Sequence, residues 1–325
     1  MMMVDLSVRL GALTLRNPVM VAAGTFGYGV EFSQALRLDQ LGALVTKTLT
    51  RHPREGHPPP RLVETPSGLL NAVGLQNLGL ERFLAEKLPT LAKADVPVIV
   101  SVLGETVEDV AWLCGSLDRE EAVAAIEINL SCPNLQHCSR LEARGSREER
   151  LEPSALSLQP RMVAQDPDAV QTMVQAARTA TRKPLIAKLS PDVTDLAPIA
   201  LAAERAGADA LTLGNTFVGM SLDPATRRSR LGAMTGGLSG PAIRPLAVYR
   251  VWYTAKIVHI PLIGLGGIVR ADNALEFILA GATAVSVGTA NFANPRAALE
   301  VLRGLERYGR RHHLSSLDAI RGAVN

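Results

Sequence analysis

The stretch from Ile260 to Phe292, IPLIGLGGIVRADNALEFILAGATAVSVGTANF, reads as a strand, a helix and a second strand, with a glycine turn after each strand. IPLIGLG (Ile260–Gly266) and AVSVG (Ala284–Gly288) are short apolar runs bounded by glycine, the mark of strands buried on both faces. Between them ADNALEFILAGA places apolar residues at helical spacing and ends at Gly281, a natural helix terminator.

The same unit recurs along the chain. Strand candidates are VMVAAG (Val19–Gly24), ALVTKT (Ala43–Thr48), PVIVSV (Pro97–Val102), AIEINL (Ala125–Leu130), PLIAKL (Pro184–Leu189) and ADALTLG (Ala208–Gly214), which with the two above make eight. EDVAWLCGSL, DPDAVQTMVQAARTA and DLAPIALAAERAGA read as amphipathic helices between them, the last closing at Gly207. Eight strands separated mostly by helices predict an α/β fold of the closed (β/α)8 type, a TIM barrel, with an open doubly wound sheet as the alternative. No interdomain linker is evident, so residues 1–325 read as one barrel domain.

Two excursions break the alternation. Arg51–Asn77, RHPREGHPPPRLVETPSGLLNAVGLQN, holds too much Pro and Gly for one regular helix and follows strand two, on the face where barrels place binding loops. LQHCSRLEARGSREERLEPSALSLQPRMVAQD, about residues 135–166, follows strand four and reads as an insertion on the same face.

Composition narrows the function. Hydrophobic residues are 47% and charged residues 20%, which describes an ordered globule. A net charge of +3 with 4% aromatics supplies no basic stripe with stacking rings, so nucleic acid is not an expected partner. The three cysteines, Cys114, Cys132 and Cys138, complete no metal or iron-sulfur pattern even with His137, so no metal is expected in this chain. Neither a secretory signal nor a run of about twenty apolar residues is present, and a cytoplasmic protein without a transmembrane segment is the simplest placement.

The last third carries a phosphate signature. GGLSGPAIRP (Gly236–Pro245), GLGGI (Gly264–Ile268) and GTANF (Gly288–Phe292) offer backbone N–H groups, the latter two on the loops after strands seven and eight, with Gly240, Gly266, Gly267, Gly288 and Thr289 as ligand candidates. GLGGI alone is a weak signal; its pairing with GTANF strengthens it. Two lysines interrupt apolar strands near their C-terminal ends, Lys47 in VTKT and Lys188 in IAKLS, and an inward-facing lysine there calls for an anionic ligand or an acid. Either could instead bury only its stem.

The densest polar feature is IEINLSCPN (Ile126–Asn134), where strand four passes into its loop. Asn129 and Asn134 donate and accept, and Pro133 stiffens the bend beside Cys132. Cys132 in this setting is a nucleophile, a redox thiol, a metal ligand, a proton-transfer base, or a small buried apolar residue. Asn71 in NAVGLQN and Asn215 in LGNTF add amides after strands two and six, which with Lys47 can encircle a planar carboxylated ring or simply cap and turn the backbone.

Together NPVMVAAGTFGYG, VTKTLT, NAVGLQNLG, EINLSCPN, AKLSPDVTD, GNTFVGM, TGGLSGPAIRP, GLGGI and VSVGTANF, from near residue 17 to about 295, resemble the class 1 dihydroorotate dehydrogenases, most of all the NAD-linked class 1B catalytic subunit. The resemblance implies bound FMN, oxidation of (S)-dihydroorotate to orotate in pyrimidine biosynthesis, and Cys132 as the base that removes a proton from C5 while hydride passes from C6 to the flavin. It implies substrate contacts from Lys47, Asn71, Val73, Gly74, Leu75, Asn129, Asn134, Asn215 and Thr216. The FMN shell it implies is Ala23, Gly24, Lys47, Thr48, Asn129, Lys188, Gly240, Gly266, Gly267, Gly288 and Thr289. It further implies a homodimeric barrel core and a partner subunit carrying FAD and a [2Fe-2S] cluster that passes electrons to NAD. The resemblance breaks after Asn134, where family members have a short glycine-containing continuation in place of the insertion here. A dihydropyrimidine dehydrogenase subunit, whose barrel is similar, and a non-catalytic FMN-binding partner protein are the alternatives, separated by turnover of dihydroorotate against dihydrouracil.

Overall fold

The apolar runs do form the strands, trimmed at their ends: β1 (Val19–Val21), β2 (Ala43–Val45), β3 (Val98–Val102), β4 (Ala125–Asn129), β5 (Leu185–Leu189), β6 (Ala210–Leu213), β7 (Leu262–Leu265) and β8 (Ala284–Val287). In this computed structural model, which describes residues 4–32, 35–131 and 163–324, all eight pair in parallel in chain order, and β8 returns to β1 to close the barrel. Closure leaves no sheet edge, and every strand residue is buried, by the interior on one face and by helices on the other.

Helices α1 (Leu80–Glu86), α2 (Val107–Asp118), α3 (Pro167–Ala180), α4 (Ala197–Arg205), α5 (Arg244–Thr254), α6 (Ala271–Leu279) and α7 (Ala297–Arg311) surround the barrel. The periodic stretches of the sequence account for α2, α3, α4 and α6; α1, α5 and α7 are additional. Local chemistry sets their ends. Thr106 and Asp166 cap α2 and α3 by accepting from backbone N–H groups of the first turn. Gly207 and Gly281 take φ of +98° and +116°, and each closes its helix with the paired backbone bonds of a Schellman turn, Gly207 to Glu204 with Ala208 to Ala203, and Gly281 to Ile278 with Ala282 to Phe277. Among the described residues no helix is long and apolar enough to cross a membrane.

The barrel interior is stratified. Its lower part is an apolar cluster containing Met20, Val45, Ile99, Ile186 and Ile263, closed from beneath by a hairpin of Val8–Leu10 and Leu13–Leu15 that contributes Leu10 and Leu15. One inward position higher the side chains turn polar: Ser101, Glu127, Lys188, Thr212 and Ser286 are all buried. At the opposite, C-terminal face lies a four-stranded antiparallel sheet in the order Phe217–Gly219, Gly236–Ser239, Gly68–Asn71, Leu62–Thr65. Much of the Pro/Gly-rich Arg51–Asn77 stretch is therefore a hairpin, paired with a segment about 170 residues further on.

Because Leu10 is fully buried in the lower cluster, Leu10→Ala is expected to cost about 3 kcal/mol through lost transfer energy and a residual cavity. Urea unfolding would show a lower midpoint at unchanged slope; a loss under about 1 kcal/mol would mean that the hairpin is not an integral plug.

Candidate active site

The end of β2 shows how the backbone delivers two polar side chains to one place. Leu44 and Thr46 donate to the carbonyls of Pro97 and Ile99 in regular parallel steps, but the next bond to Ser101 comes from Leu49 rather than from residue 48. One extra residue is thus accommodated, and Lys47 turns its own N–H away to Gly27 O at 2.8 Å. This bulge lets Lys47 and Thr48, neighbours in sequence, both line the same cavity at the mouth of the barrel.

That cavity gathers residues from six strand ends. Lys47 and Thr48 follow β2, Asn129 ends β4, Lys188 lies on β5, and Asn215 and Thr216 follow β6. Ala23 and Gly24 come from the loop after β1 and Thr289 from the loop after β8, while Asn71, Val73, Gly74 and Leu75 come from the hairpin stretch. An adjoining cavity shares Ala23, Lys188, Asn215, Thr216 and Thr289 and adds Gly240, Gly266, Gly267 and Gly288. All the described residues singled out from the sequence therefore line one of two connected spaces. Cys132, Asn134 and the insertion up to residue 162 lie outside the described residues; beyond them Val163–Gln165 forms a short 3-10 helix leading into the Asp166 cap.

The two spaces differ in chemistry. Among the described residues Lys188 is the one cationic side chain lining the glycine-rich cavity, so an anion there would rely mainly on backbone N–H groups. Gly267 is required by the turn: its φ is +66°, and a Cβ would come within 2.7 Å of Arg244 Cβ and 2.8 Å of Gly240 O. In the first cavity the Lys47 ammonium titrates below the ordinary lysine range, first because of burial and then because of the Arg61 guanidinium, with Glu31 pulling the other way. Arg61 is itself fixed, donating to His57 O, Glu55 O and Gln76 Oε1. Neither Lys47 nor Lys188 forms an ion pair with a described carboxylate, and both line the first cavity. Leu75 takes a φ of +57°, a left-handed conformation rare for a branched side chain, on the loop that edges the cavity.

Hydrogen bonding leaves the amides in different states. Asn71 spends one N–H on Gly237 O at 3.1 Å. Asn129 donates to Thr48 Oγ1 at 3.1 Å and accepts on Oδ1 from the N–H and hydroxyl of Ser131. Asn215 directs its amide nitrogen at Ser131, to O at 3.1 Å and to Oγ at 2.7 Å, and accepts from Thr216 N–H at 2.7 Å. The sequence places Asn215 around a ligand; in the structure its amide nitrogen serves as a clamp on Ser131 while the residue still edges the cavity.

Several lining residues go unremarked in the sequence reading. Ser239 accepts from Thr289 Oγ1 at 2.8 Å and donates to Leu69 O at 3.2 Å, joining the covering sheet to the glycine-rich side. Its signal was its place inside GGLSGP. Leu62 and Phe292 are both half exposed at the mouth; Phe292 closes the GTANF motif, whereas Leu62 carries no local pattern that marks it.

The family model described as Dihydroorotate dehydrogenase matches residues 5–308. The chain belongs to the dihydroorotate dehydrogenase family. It is 50% identical over 324 residues to a protein of Desulforudis audaxviator named Dihydroorotate dehydrogenase B (NAD(+)), catalytic subunit, covering 100% of this chain and 99% of that one. Proteins of the same name from Pelobacter propionicus, 48% identical, and Geobacter sulfurreducens, 47% identical, are each matched over 320 residues and 98% of both chains.

In this dihydroorotate dehydrogenase family member the Ser131 clamp holds the last described residue before Cys132. Asn215→Ala would remove both donors to Ser131 and strand its buried carbonyl, at a cost of about 1–3 kcal/mol. Chemical denaturation would measure it; unchanged stability would mean that Asn215 does not anchor this turn.

Proposed function

We propose that this chain is the FMN-binding catalytic subunit of an NAD-linked dihydroorotate dehydrogenase, a single barrel domain that oxidises (S)-dihydroorotate to orotate in de novo pyrimidine biosynthesis. The observation that carries the reading is the junction of two cavities, one lined by Lys47, Asn71 and Asn129, the other by the glycine turns after β7 and β8. The names of relatives 47–50% identical over nearly the whole chain support it.

The residues present fit FMN. Backbone at Gly240, Gly266, Gly267, Gly288 and Thr289 suits the phosphate, and a Cβ at Gly267 would collide with its neighbours. Ala23, Gly24, Lys47, Thr48, Asn129 and Lys188 would border the ring, and FMN bound there supplies the hydride acceptor.

The chain's own residues do the rest. Lys47 attracts the substrate carboxylate, and Asn71, Asn129, Asn134, Asn215 and Thr216 fix the ring by hydrogen bonds, with Val73, Gly74 and Leu75 packing over it. Cys132 Sγ takes the proton from C5 as the hydride leaves C6. Electrons then pass through an iron-sulfur flavoprotein subunit, carrying FAD and [2Fe-2S], to NAD. The words "catalytic subunit" in the relatives' names support such a partner. A homodimeric core in the cytoplasm completes the proposal.

The decisive experiment is an anaerobic visible spectrum of FMN-reconstituted protein before and after dihydroorotate. Bleaching of the flavin band with orotate formed is expected, and Cys132→Ala should keep FMN while losing about 10²- to 10⁴-fold in the bleaching rate, the usual range for a general base. Full FMN occupancy without bleaching, or bleaching by dihydrouracil alone, overturns the substrate assignment.

The Lys47 shift sets a pH dependence. With its pKa depressed, Lys47 loses its charge at a lower pH than an ordinary lysine, so orotate affinity should fall as pH rises through that window. Orotate titrations from neutral to alkaline pH should show this limb in wild type and lack it in Lys47→Ala. The same limb in both proteins would assign the titration to another group.

A further inference from the structure

Glu127 is a carboxylate enclosed in the barrel, 3% exposed, directly beneath the cavity residues and in no ion pair with a described cation. Its Oε1 accepts from Ser101 Oγ at 3.1 Å and its Oε2 from Thr212 Oγ1 at 3.0 Å. Ser101 lies beside it on β3, whereas Thr212 reaches it from β6, across β5, as alternate strands do within one layer of a barrel.

A carboxylate can only accept, and that fixes the direction of everything attached to it. Ser101 spends its one hydroxyl hydrogen on Glu127. The 3.0 Å contact between Ser101 Oγ and Thr48 Oγ1 must then be a donation from Thr48. Thr48, its hydrogen spent, can only accept from Asn129, which it does from Nδ2 at 3.1 Å. Ser131 independently holds the Oδ1 end of the same amide. The result is a one-way relay from Asn129 through Thr48 and Ser101 to Glu127, and it leaves the second N–H of Asn129, which borders the cavity, to donate to a ligand.

We infer that Glu127 is a positioning residue: as the acceptor that ends this relay, it fixes the Asn129 amide with its remaining N–H presented to the bound pyrimidine. This rests on the proposed reading of the cavity as an FMN and orotate site. Glu127 touches neither ligand and acts through hydrogen-bond direction, not through its charge.

The test is orotate affinity, read from perturbation of the flavin spectrum in FMN-reconstituted protein. Glu127→Leu, which removes the acceptor, is expected to weaken orotate binding by about threefold to tenfold, the worth of one oriented hydrogen bond. Glu127→Gln should stay within about twofold of wild type, because its carbonyl can still accept from Ser101 while its amide turns to Thr212. Thr48→Val cuts the same relay two bonds from Glu127. The double variant Glu127→Leu with Thr48→Val should bind no more weakly than the weaker single variant.

Should Glu127→Leu fail to fold, Ser101→Ala keeps the carboxylate, cuts the relay and takes its place. Multiplying losses in the double variant, equal losses in Glu127→Gln and Glu127→Leu, or unaltered binding in all variants while wild type responds to orotate would overturn the positioning role alone. No orotate response in wild type would overturn the site reading and this inference with it.

Discussion

Burying a carboxylate and an ammonium inside a closed barrel is the constraint around which the upper half of this molecule is organised. Glu127 and Lys188 are both nearly inaccessible, on adjacent strands, and stand directly above an apolar layer of Met20, Ile99, Ile186 and Ile263. A buried ion without compensation costs several kcal/mol. Glu127 is compensated by two hydroxyls, each supplied by a different strand. Lys188 has no described anion and faces the cavities instead. The two charges are therefore treated differently: the acid is satisfied by hydroxyls of the protein, whereas the base has no carboxylate partner among the described residues and lines the cavities where a ligand is proposed. Beneath both charges the apolar layer and the hairpin residues Leu10 and Leu15 are fully or nearly fully buried.

The covering sheet has a comparable steric constraint. Gly237 sits where a Cβ would lie 1.9 Å from Thr216 Oγ1, so the strand Gly236–Ser239 lies directly against the loop after β6. The same strand pairs with Gly68–Asn71 and offers Ser239 to Thr289. One short strand thus ties the loops after β2, β6 and β8 together, joining the candidate substrate side to the glycine-rich side. Coupling of this kind holds separately encoded loops in register, as a two-part ligand would need.

Much of this was legible in the amino-acid sequence, for reasons of range. The eight strands and four of the helices are local patterns, and the phosphate turns follow from glycines placed just after strands. The Leu62–Asn71 hairpin within Arg51–Asn77 was not legible, because its partner strand lies about 170 residues away and half of that strand is glycine; only the absence of helix could be read. Helix α5 was obscured because GGLSGPAIRP reads as a loop and the helix begins inside it, at Arg244. The relay ending at Glu127 was hidden differently. Glu127 stands in plain view within EINLSCPN, but its meaning needs the heights of Ser101 on β3 and Thr212 on β6, which only barrel closure supplies. The placement of Lys47 beside Thr48 likewise depends on a bulge that period-two alternation does not foresee.

The electrostatics of the mouth explain why a carboxylated ring and a phosphate suit one barrel. Arg61 stands near enough to Lys47 to lower its proton affinity, and it is held there by three hydrogen bonds to the hairpin stretch rather than by an acid. Two like charges kept together, with Glu31 offsetting them only in part, are a cost to the empty protein that an anionic ligand would relieve. At the other cavity the proposed phosphate would meet mainly backbone N–H groups, which do not titrate, with Lys188 as the one lining cation among the described residues. On the proposed reading, a cofactor held mainly by untitratable backbone and a substrate gathered by a titratable lysine would be retained and released on different terms at one barrel mouth. For the proposed enzyme, whose cofactor would stay while substrate and product exchange, that asymmetry would serve both demands in one barrel.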